Sequence, residues 1–380
     1  MTDTLTAPET LIADEAASAP ARATAATVAR GDVVDQYPMA LPAARGPVSE
    51  ALFAALRGET GTDAVLAAAV AGVAATDDLL RDEDLQLALF CAYELHHGGI
   101  AGVDERLEWD PELIRARTVV EDALEDLLRR TVTLPEAPEP TAEAVSAALF
   151  ALAAEDSGPS LARFLSRKAT LEQAREFLVH RTIYTLGEAD PHSWAIPRLT
   201  GRAKAALVEI QSDEYGEGRP GRMHSAIFAV TVSAAGLSPA YGAYLDVVPA
   251  ITLASVNTMT LFGLHRRLRG ATVGHLAAFE MTSSIPNRMY GDGFRRLGFD
   301  ADATWYFDEH VEADAVHEQI AGRDLAGGLV EAHPHLLEDV LFGAAACLAV
   351  DGWAGQHVLE AFTEGRTSLR EPLAPAGTAA

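Results

Sequence analysis

The stretch YFDEHVEADAVHE, from Tyr306 to Glu318, sets two histidines and an aspartate in a strongly acidic surrounding. His310, Asp314 and His317 follow one another at intervals of four and three residues, which is the repeat of an α-helix. At about 100° per residue, their side chains share an arc of roughly 60° on one helix face. This pattern fits either a solvated acidic helix or part of a metal site, and the rest of the chain has to decide between them.

The composition favours a helical fold. The chain has 380 residues, of which 49% are hydrophobic, enough to bury a large core. Alanine, leucine and glutamate dominate, aromatic residues make up only 7%, and runs of alternating Val, Ile and Thr are few. These are the preferences of helices rather than strands, so we expect an all-α fold.

The charge balance excludes two classes of partner. Acidic residues number 55 against 29 basic ones, and the formal net charge is −26. Such a surface repels phosphate backbones and anionic lipid, so we expect no nucleic-acid partner and no membrane partner. Carboxylates are, however, the ligands that hard metal ions prefer.

The cysteines and the N-terminus point to a cytoplasmic protein. Cys91 and Cys347 each lie inside an apolar segment and read as small buried hydrophobic residues, so no disulfide framework or cysteine-rich zinc site is expected. The N-terminus lacks the basic start and continuous apolar run of a signal peptide. Apolar stretches such as 226–237 and 341–350 are too short to span a bilayer.

Four segments are predicted along the chain. An Ala-, Thr- and Pro-rich tail over 1–45 is expected to be disordered, and a flexible tail is expected over 367–380. Between them lie an N-terminal helical region, 46–133, and a larger helical body, 143–366. The proline-rich LPEAPEPTAE, which begins at Leu134, separates the two. They could be two domains, or one domain with a helical extension packed on it.

Residue types that bind metals recur in two further segments of the body. EIQSDEYGEGRPGRMHSAIF contains Glu214, Glu217 and His224, and the otherwise apolar run GHLAAFEM contains Glu280. A carboxylate on an apolar helix face is costly unless it is paired or binds a metal. The simpler alternatives for Glu280 are an edge position that reaches water or a salt bridge to Arg288. Carboxylates and histidines on three helices are typical of a di-iron site in a helical bundle.

The third segment reads His-x-x-x-Asp-x-x-His, and the Glu-x-x-His pairs of ferritin-like sites are missing from the three segments. Over roughly 145–365 this arrangement resembles the haem-oxygenase-like di-iron oxidases and oxygenases. EADPHSWAIPRLTGRAKAALVEIQSDEYG also looks like bacterial iron-containing redox enzymes. The resemblance implies a haem-oxygenase-like helical bundle with an N-terminal helical extension, in which 143–366 is the di-iron domain. It further implies two Fe²⁺ ions per chain, O₂ as co-substrate, and the ligands Glu214, His224, Glu280, His310, Asp314 and His317.

Two positions stay open within this resemblance. Glu217 precedes His224 by seven residues and would share its helix face, whereas Glu214 precedes it by ten and is about 80° away on an ideal helix. The glycines and the proline between them make a regular helix doubtful, and we favour Glu214. The longer spacing is similar to the streptozotocin N-oxygenase branch, which has a further upstream carboxylate ligand. Glu188 in LGEADPH is the candidate for it, either as a ligand, as a group that supports one, or as the end of a helix.

The resemblance also implies a function. It predicts an O₂-dependent oxidoreductase of specialised metabolism that acts on a small amino-acid-like or carboxylic-acid substrate by N-oxygenation, desaturation or oxidative C–C cleavage. An external electron donor and a homodimer are expected partners. No catalytic residue is assigned beyond the metal ligands. Four residues near the ligands in sequence could bind a substrate carboxylate, although ordinary salt bridges are the simpler reading for each: Arg288, Tyr290, Arg222 and Tyr215.

Two other functions compete with this one. A mono-iron enzyme would use only His310, Asp314 and His317. A non-catalytic helical scaffold or iron-binding protein would keep the ligands without turnover.

Overall fold

The computed structural model describes residues 37–155 and 160–373, apart from the side chains of residues 312–315. Within these ranges the chain is helical and contains no strand, and an isolated bridge pairs Met39 with Ile100. The all-α prediction is confirmed. The α-helices of this part of the chain are α1 Pro47–Leu56, α2 Asp63–Ala75, α3 Glu83–Glu94, α4 Pro111–Thr131, α5 Ala142–Ala154, α6 Leu161–Arg167, α7 Leu171–Thr185, α8 Asp190–Ser193, α9 Gly201–Glu214, α10 His224–Ala234, α11 Ala250–Leu264, α12 Arg269–Met281, α13 Ser284–Arg296, α14 Ala301–Gln319, α15 Gly328–Ala332 and α16 Leu337–Thr363.

Short polar residues cap the first turn of several helices. Thr170 accepts a hydrogen bond from the backbone N–H of Gln173, whose side chain accepts one from the backbone N–H of Thr170. Asp300 starts α14 in the same way by accepting from the backbone N–H of Ala303 at 3.0 Å. Such caps satisfy backbone donors that a helix leaves unpaired, and each contributes about 1 kcal/mol.

The N-terminal helices share one hydrophobic core with the body. Leu87 of α3 and Leu124 of α4 are fully buried in the same cluster as Leu261 of α11. A buried polar contact joins the two regions as well, because the amide of Asn257 donates to the backbone oxygen and the side-chain oxygen of Gln86 at 2.9 and 2.8 Å. The region is therefore an extension packed on the body, the second of the two arrangements that the sequence allowed.

The predicted N-terminal tail is too long. Residues 1–36 lie outside the described part of the chain, but 37–45 pack on the fold, and Met39 is only 1% exposed. Arg45 forms an ion pair with Glu83 at 2.5 Å. A buried methionine and a paired arginine give this segment enough contacts to offset the loss of chain entropy that favours disorder.

The predicted C-terminal tail is too long for a similar reason. Ser368 and Leu369 are buried, and the Arg370 guanidinium donates to the backbone oxygen of Asp246 at 2.8 Å. The chain therefore remains fixed to the body beyond residue 367, and of the predicted tail 374–380 lie outside the described residues.

Helices α9, α10, α12 and α14, with the turn that follows α7, surround a polar interior that is described below. Helix α14 continues without a break into a π-helical segment, Ile320–Gly327, and then into α15. Such wide turns are uncommon and often occur at functional sites. No helix among the described residues is both long enough and apolar enough to cross a membrane.

Candidate metal centre

Two groups of buried side chains could each hold a metal ion. The first cluster is Glu188, Glu214, His224 and His310, and the second cluster is Glu214, Glu280 and His317. Within each cluster, every residue offers an oxygen or nitrogen atom within 4.8 Å of the others. All six residues are at most 8% exposed. Because Glu214 belongs to both clusters, its two carboxylate oxygens join them into one centre.

In the first cluster, imidazole nitrogens face carboxylate oxygens. His224 Nδ1 lies 2.7 Å from Glu214 Oε2, and His310 Nε2 lies 3.6 Å from Glu188 Oε1. His310 Nδ1 lies 2.8 Å from the backbone oxygen of Tyr306. A carbonyl oxygen only accepts hydrogen bonds, so Nδ1 carries the proton and the lone pair of Nε2 points at Glu188.

In the second cluster an imidazole nitrogen again lies near carboxylate oxygens. His317 Nδ1 lies 3.6 Å from Glu280 Oε2 and 3.9 Å from Glu214 Oε1. On the far side of the ring, Nε2 lies 2.9 Å from Asp213 Oδ2. A carboxylate that binds the outer N–H of a ligating histidine fixes both its tautomer and its ring orientation. Asp213 therefore directs Nδ1 of His317 into the cluster.

A break between α9 and α10 brings Glu214 and His224 together. Helix α9 ends at Glu214 and α10 begins at His224, so the ten-residue spacing does not follow helical phase. Gly216, at φ +66°, turns the chain where a Cβ atom would come within 2.6 Å of the Arg222 backbone. Glu217, at φ +52°, is exposed and pairs with Arg219 at 3.3 Å. The structure thus places Glu214 inside the centre and Glu217 at the surface.

Glu280 faces inward from α12. It is 5% exposed and lies beside His317, whereas Arg288 is an exposed residue of α13. The two simpler alternatives for Glu280, an edge position or a salt bridge to Arg288, are therefore wrong.

The buried charges shift one another's protonation. Burial alone would raise the pKa of Glu214, but the adjacent imidazole of His224 lowers it to about 2. Burial raises the pKa of Glu280 despite the adjacent imidazole of His317. Burial alone would lower the pKa of His317, but the adjacent carboxylates of Glu280 and Asp213 raise it to about 9.

The imidazole nitrogens and carboxylate oxygens of the two clusters are better suited to binding an iron ion than to contacting one another directly. His224 Nδ1 and His317 Nδ1 are buried, and neither forms a hydrogen bond of acceptable geometry although each faces carboxylate oxygens. Orphaned buried polar atoms are costly in a folded protein. Imidazole nitrogen combined with carboxylate oxygen is a donor set that suits ferrous iron, and an ion between the facing atoms would satisfy both.

Sequence reasoning missed the groups that support the ligands. The Tyr306 hydroxyl donates to Glu188 and lies 2.8 and 3.0 Å from its two carboxylate oxygens. The Arg181 guanidinium donates to the same hydroxyl at 3.3 Å. Two supporting residues could have been recognised from the sequence. Tyr306 precedes His310 by one helical turn, and Asp213, which contacts His317, is the neighbour of Glu214. Nothing in the sequence marks Arg181, which reaches the site from α7.

A narrow cavity of about 10 Å³ lies against both clusters, with room for about one water molecule. Its walls combine metal-ligand candidates with aromatic, aliphatic and neutral polar side chains. The lining residues are Tyr184, Glu188, Ala189, His192, Gln211, Glu214, Leu276, Phe279, Glu280, Ser283 and His310.

The four residues predicted to bind substrate do not line this cavity. Arg288 is exposed in a separate surface groove, and Arg222 pairs with Glu309 at 3.0 Å. The Tyr290 ring packs on Phe177 and Phe307, with ring centroids 4.6 and 6.1 Å apart. The Tyr215 hydroxyl donates to Asp190 at 2.8 Å. The sequence placed them near the candidate ligands along the chain, but in the fold their side chains have other partners or face the surface.

Asp314 lies in α14 between His310 and His317. Its side chain belongs to 312–315, outside the described side chains, so its role as a ligand stays a prediction.

Comparisons with known proteins agree with this geometry. Residues 175–352 match the family described as iron-containing redox enzymes, and both clusters lie within that range. Nitrosourea synthase of Streptomyces achromogenes subsp. streptozoticus is 29% identical over 160 residues, which are 42% of this chain and 34% of that protein. The chain thus spans about a third of the length of the relative. The resemblance inferred from the sequence is confirmed: residues 175–352 are similar to the iron-containing redox enzymes, a haem-oxygenase-like, all-α family.

Proposed function

We propose that this protein is an O₂-dependent di-iron oxygenase or oxidase that binds two Fe²⁺ ions per chain. The observation that carries the proposal is the shared Glu214, which joins two buried clusters of iron-compatible donors. A carboxylate between two ions is the usual way in which helical bundles hold an iron pair. Glu188, Glu214, His224 and His310 would hold one ion, and Glu214, Glu280 and His317 the other, with Asp314 as a further proposed ligand.

When bound, an iron pair supplies activation of dioxygen for oxidation of a substrate. The residues of the chain arrange the ligands beforehand. Tyr306 fixes Glu188, its own backbone oxygen holds His310 in one tautomer, and Asp213 does the same for His317. A donor set arranged in this way would bind the ions with little reorganisation of the side chains.

The cavity limits what can react there. Leu276, Phe279 and Tyr184 give it an apolar side that keeps bulk water away, while Gln211 and Ser283 offer neutral hydrogen-bonding groups. We propose an amino-acid-like or carboxylic-acid substrate and, among N-oxygenation, desaturation and oxidative C–C cleavage, rank N-oxygenation first. The name of the relative supports this order, since a nitrosourea contains a nitrogen–oxygen bond.

The proposed reaction requires an external electron donor. Transfer of one oxygen atom from O₂ to nitrogen leaves the other to become water, and that step needs two further electrons. The homodimer and the cytoplasmic location remain predictions.

Two alternatives are less well supported. A mono-iron enzyme built on His310, Asp314 and His317 would need both histidines at one ion, but they belong to different clusters. A non-catalytic scaffold would not need two sets of orphaned donors beside a cavity.

Anaerobic titration with ferrous iron tests the proposal. Two ions per chain, followed by O₂ consumption that accelerates with one member of a panel of amino acids and carboxylic acids, are the expected results. Binding of a single ion would favour the mono-iron reading. Two ions without O₂ consumption, even with a chemical reductant and the full panel, would favour an iron-binding protein.

A further inference from the structure

Glu188 reaches the first cluster from an unusual turn. Helix α7 ends at Thr185 and α8 begins at Asp190, so Glu188 is held by the short turn between them. Its neighbour Ala189 has φ +76°, in the left-handed region that a residue with a side chain rarely adopts. Such a conformation persists only where surrounding contacts over-determine it, and it tends to occur at functional sites.

Both backbone groups of Ala189 are held in place. Its N–H donates to the Tyr184 hydroxyl at 3.3 Å, and its carbonyl oxygen accepts from the Gln211 side chain at 2.8 Å. The residue is 2% exposed. The turn is therefore fixed from two helices, α7 and α9.

Asp190 holds the other side of the turn. One carboxylate oxygen accepts from the Tyr215 hydroxyl at 2.8 Å, and the other accepts from the Tyr37 hydroxyl at 3.5 Å. Tyr37 comes close because the turn has a glycine there: a Cβ atom on Gly187 would lie 2.6 Å from its hydroxyl. Glu188 contacts Tyr306 and His310 instead, so the two carboxylates, two residues apart, serve different sets of partners.

We propose that Asp190 is a positioning residue, which holds the strained turn through Tyr215 and Tyr37 so that Glu188 faces the first cluster. The inference rests on the proposed function, because it assumes that Glu188 binds iron. It also gives the N-terminal segment a role at the metal centre, since Tyr37 precedes the first helix of the extension. Asp190 itself does not belong to either cluster.

Anaerobic titration of full-length variants with ferrous iron, in competition with a chromophoric chelator, tests this role. Asp190→Ala removes both acceptors and should weaken one of the two irons by about 10- to 100-fold, the usual effect of losing a group that orients a ligand. The other iron should bind as in the wild type. Asp190→Asn is the matched control, since its amide oxygen can still accept from Tyr215, and it should bind both irons.

A second substitution separates positioning from general damage. Ala189→Gly removes the steric cost of the left-handed conformation. When it is added to Asp190→Ala, it should restore part of the lost affinity, whereas a merely destabilised fold would not regain one specific iron. Thermal unfolding of each iron-free variant measures the fold independently.

The outcomes are distinct. Unchanged binding of both irons by Asp190→Ala overturns the inference and leaves the proposed function standing. Equal weakening of both irons, with no recovery from Ala189→Gly, also overturns it. A wild-type chain that binds fewer than two irons overturns the proposed function, and this inference with it.

Discussion

Replacement of Tyr306 by Phe removes the hydrogen bond that orients Glu188, together with the one that the same hydroxyl accepts from Arg181. The ring is fully buried and packs on His310 and Phe228, with ring centroids 4.2 and 4.9 Å apart. Phenylalanine keeps that packing and removes only the hydroxyl. The lost bond has a carboxylate acceptor, and such a bond contributes about 1.5–3 kcal/mol when the partner stays buried. We therefore expect iron-free Tyr306→Phe to lose about 2 kcal/mol of unfolding free energy.

That loss sets the size of the thermal shift. A chain of this length has an unfolding entropy of roughly 0.8 kcal/mol/K, so the midpoint of the iron-free variant should fall by about 2–3 °C. Iron binding adds a second readout. With Glu188 free to rotate, one of the two irons should bind about 10- to 100-fold more weakly. Calorimetry on the iron-free protein and anaerobic iron titration measure the two effects separately.

Tyr290→Phe is the matched control for this experiment. Tyr290 is another tyrosine in aromatic packing, between Phe177 and Phe307, but it makes no contact with Glu188. Its variant should bind both irons as the wild type does. If Tyr306→Phe also binds both irons normally, the hydroxyl does not orient Glu188 for iron and the reasoning is refuted.

Three further outcomes follow from the two clusters. Glu280→Ala should bind one iron instead of two, while Glu217→Ala, which alters an exposed carboxylate near the site, should bind both; equal iron content in the two variants would contradict the assignment. Removing iron with a chelator should lower the unfolding temperature, because a ligand at 100 times its Kd stabilises the fold by about 2.7 kcal/mol per site; an unchanged melting curve would argue against a specific site. The third concerns pH: the folded-state pKa of His317, about 9, exceeds the usual value of 6.5, so its contribution to iron-free stability is present below pH 6.5 and is lost as the pH rises towards 9. Denaturation curves across this range should show the loss in the wild type and much less of it in Glu280→Gln.

The buried candidate ligands and the helices that carry them could be predicted from the sequence because local spacing carries that information. His310 and His317 stand on one helix face whatever surrounds them. Glu280 stands out because burying an unpaired carboxylate in an apolar run costs free energy. The choice of Glu214 over Glu217 depended on recognising that a Gly- and Pro-rich stretch does not continue a helix.

The parts that could not be predicted depend on tertiary contacts. Arg181 supports Tyr306 from α7, more than 100 residues away in sequence. The substrate-binding candidates were chosen by closeness along the chain, and Arg288 shows why that fails: an outward helix position puts it at the surface although Glu280 is nearby in sequence. The limits of the two tails were predicted from composition alone, which does not indicate that Met39 is buried.

The hydrophobic cluster that the N-terminal helices share with the body has a practical consequence for work with this protein. The family match covers 175–352, yet Leu87 and Leu124, far upstream, are buried in the same cluster as Leu261. A fragment cut at the limits of the match would expose the apolar face of α11 to water and would lack Tyr37, the hydroxyl partner of Asp190. Such a fragment should aggregate rather than act as an autonomous folding unit. The unit that folds, and that a recombinant protein has to preserve, therefore begins at or before residue 37 and extends at least to residue 370.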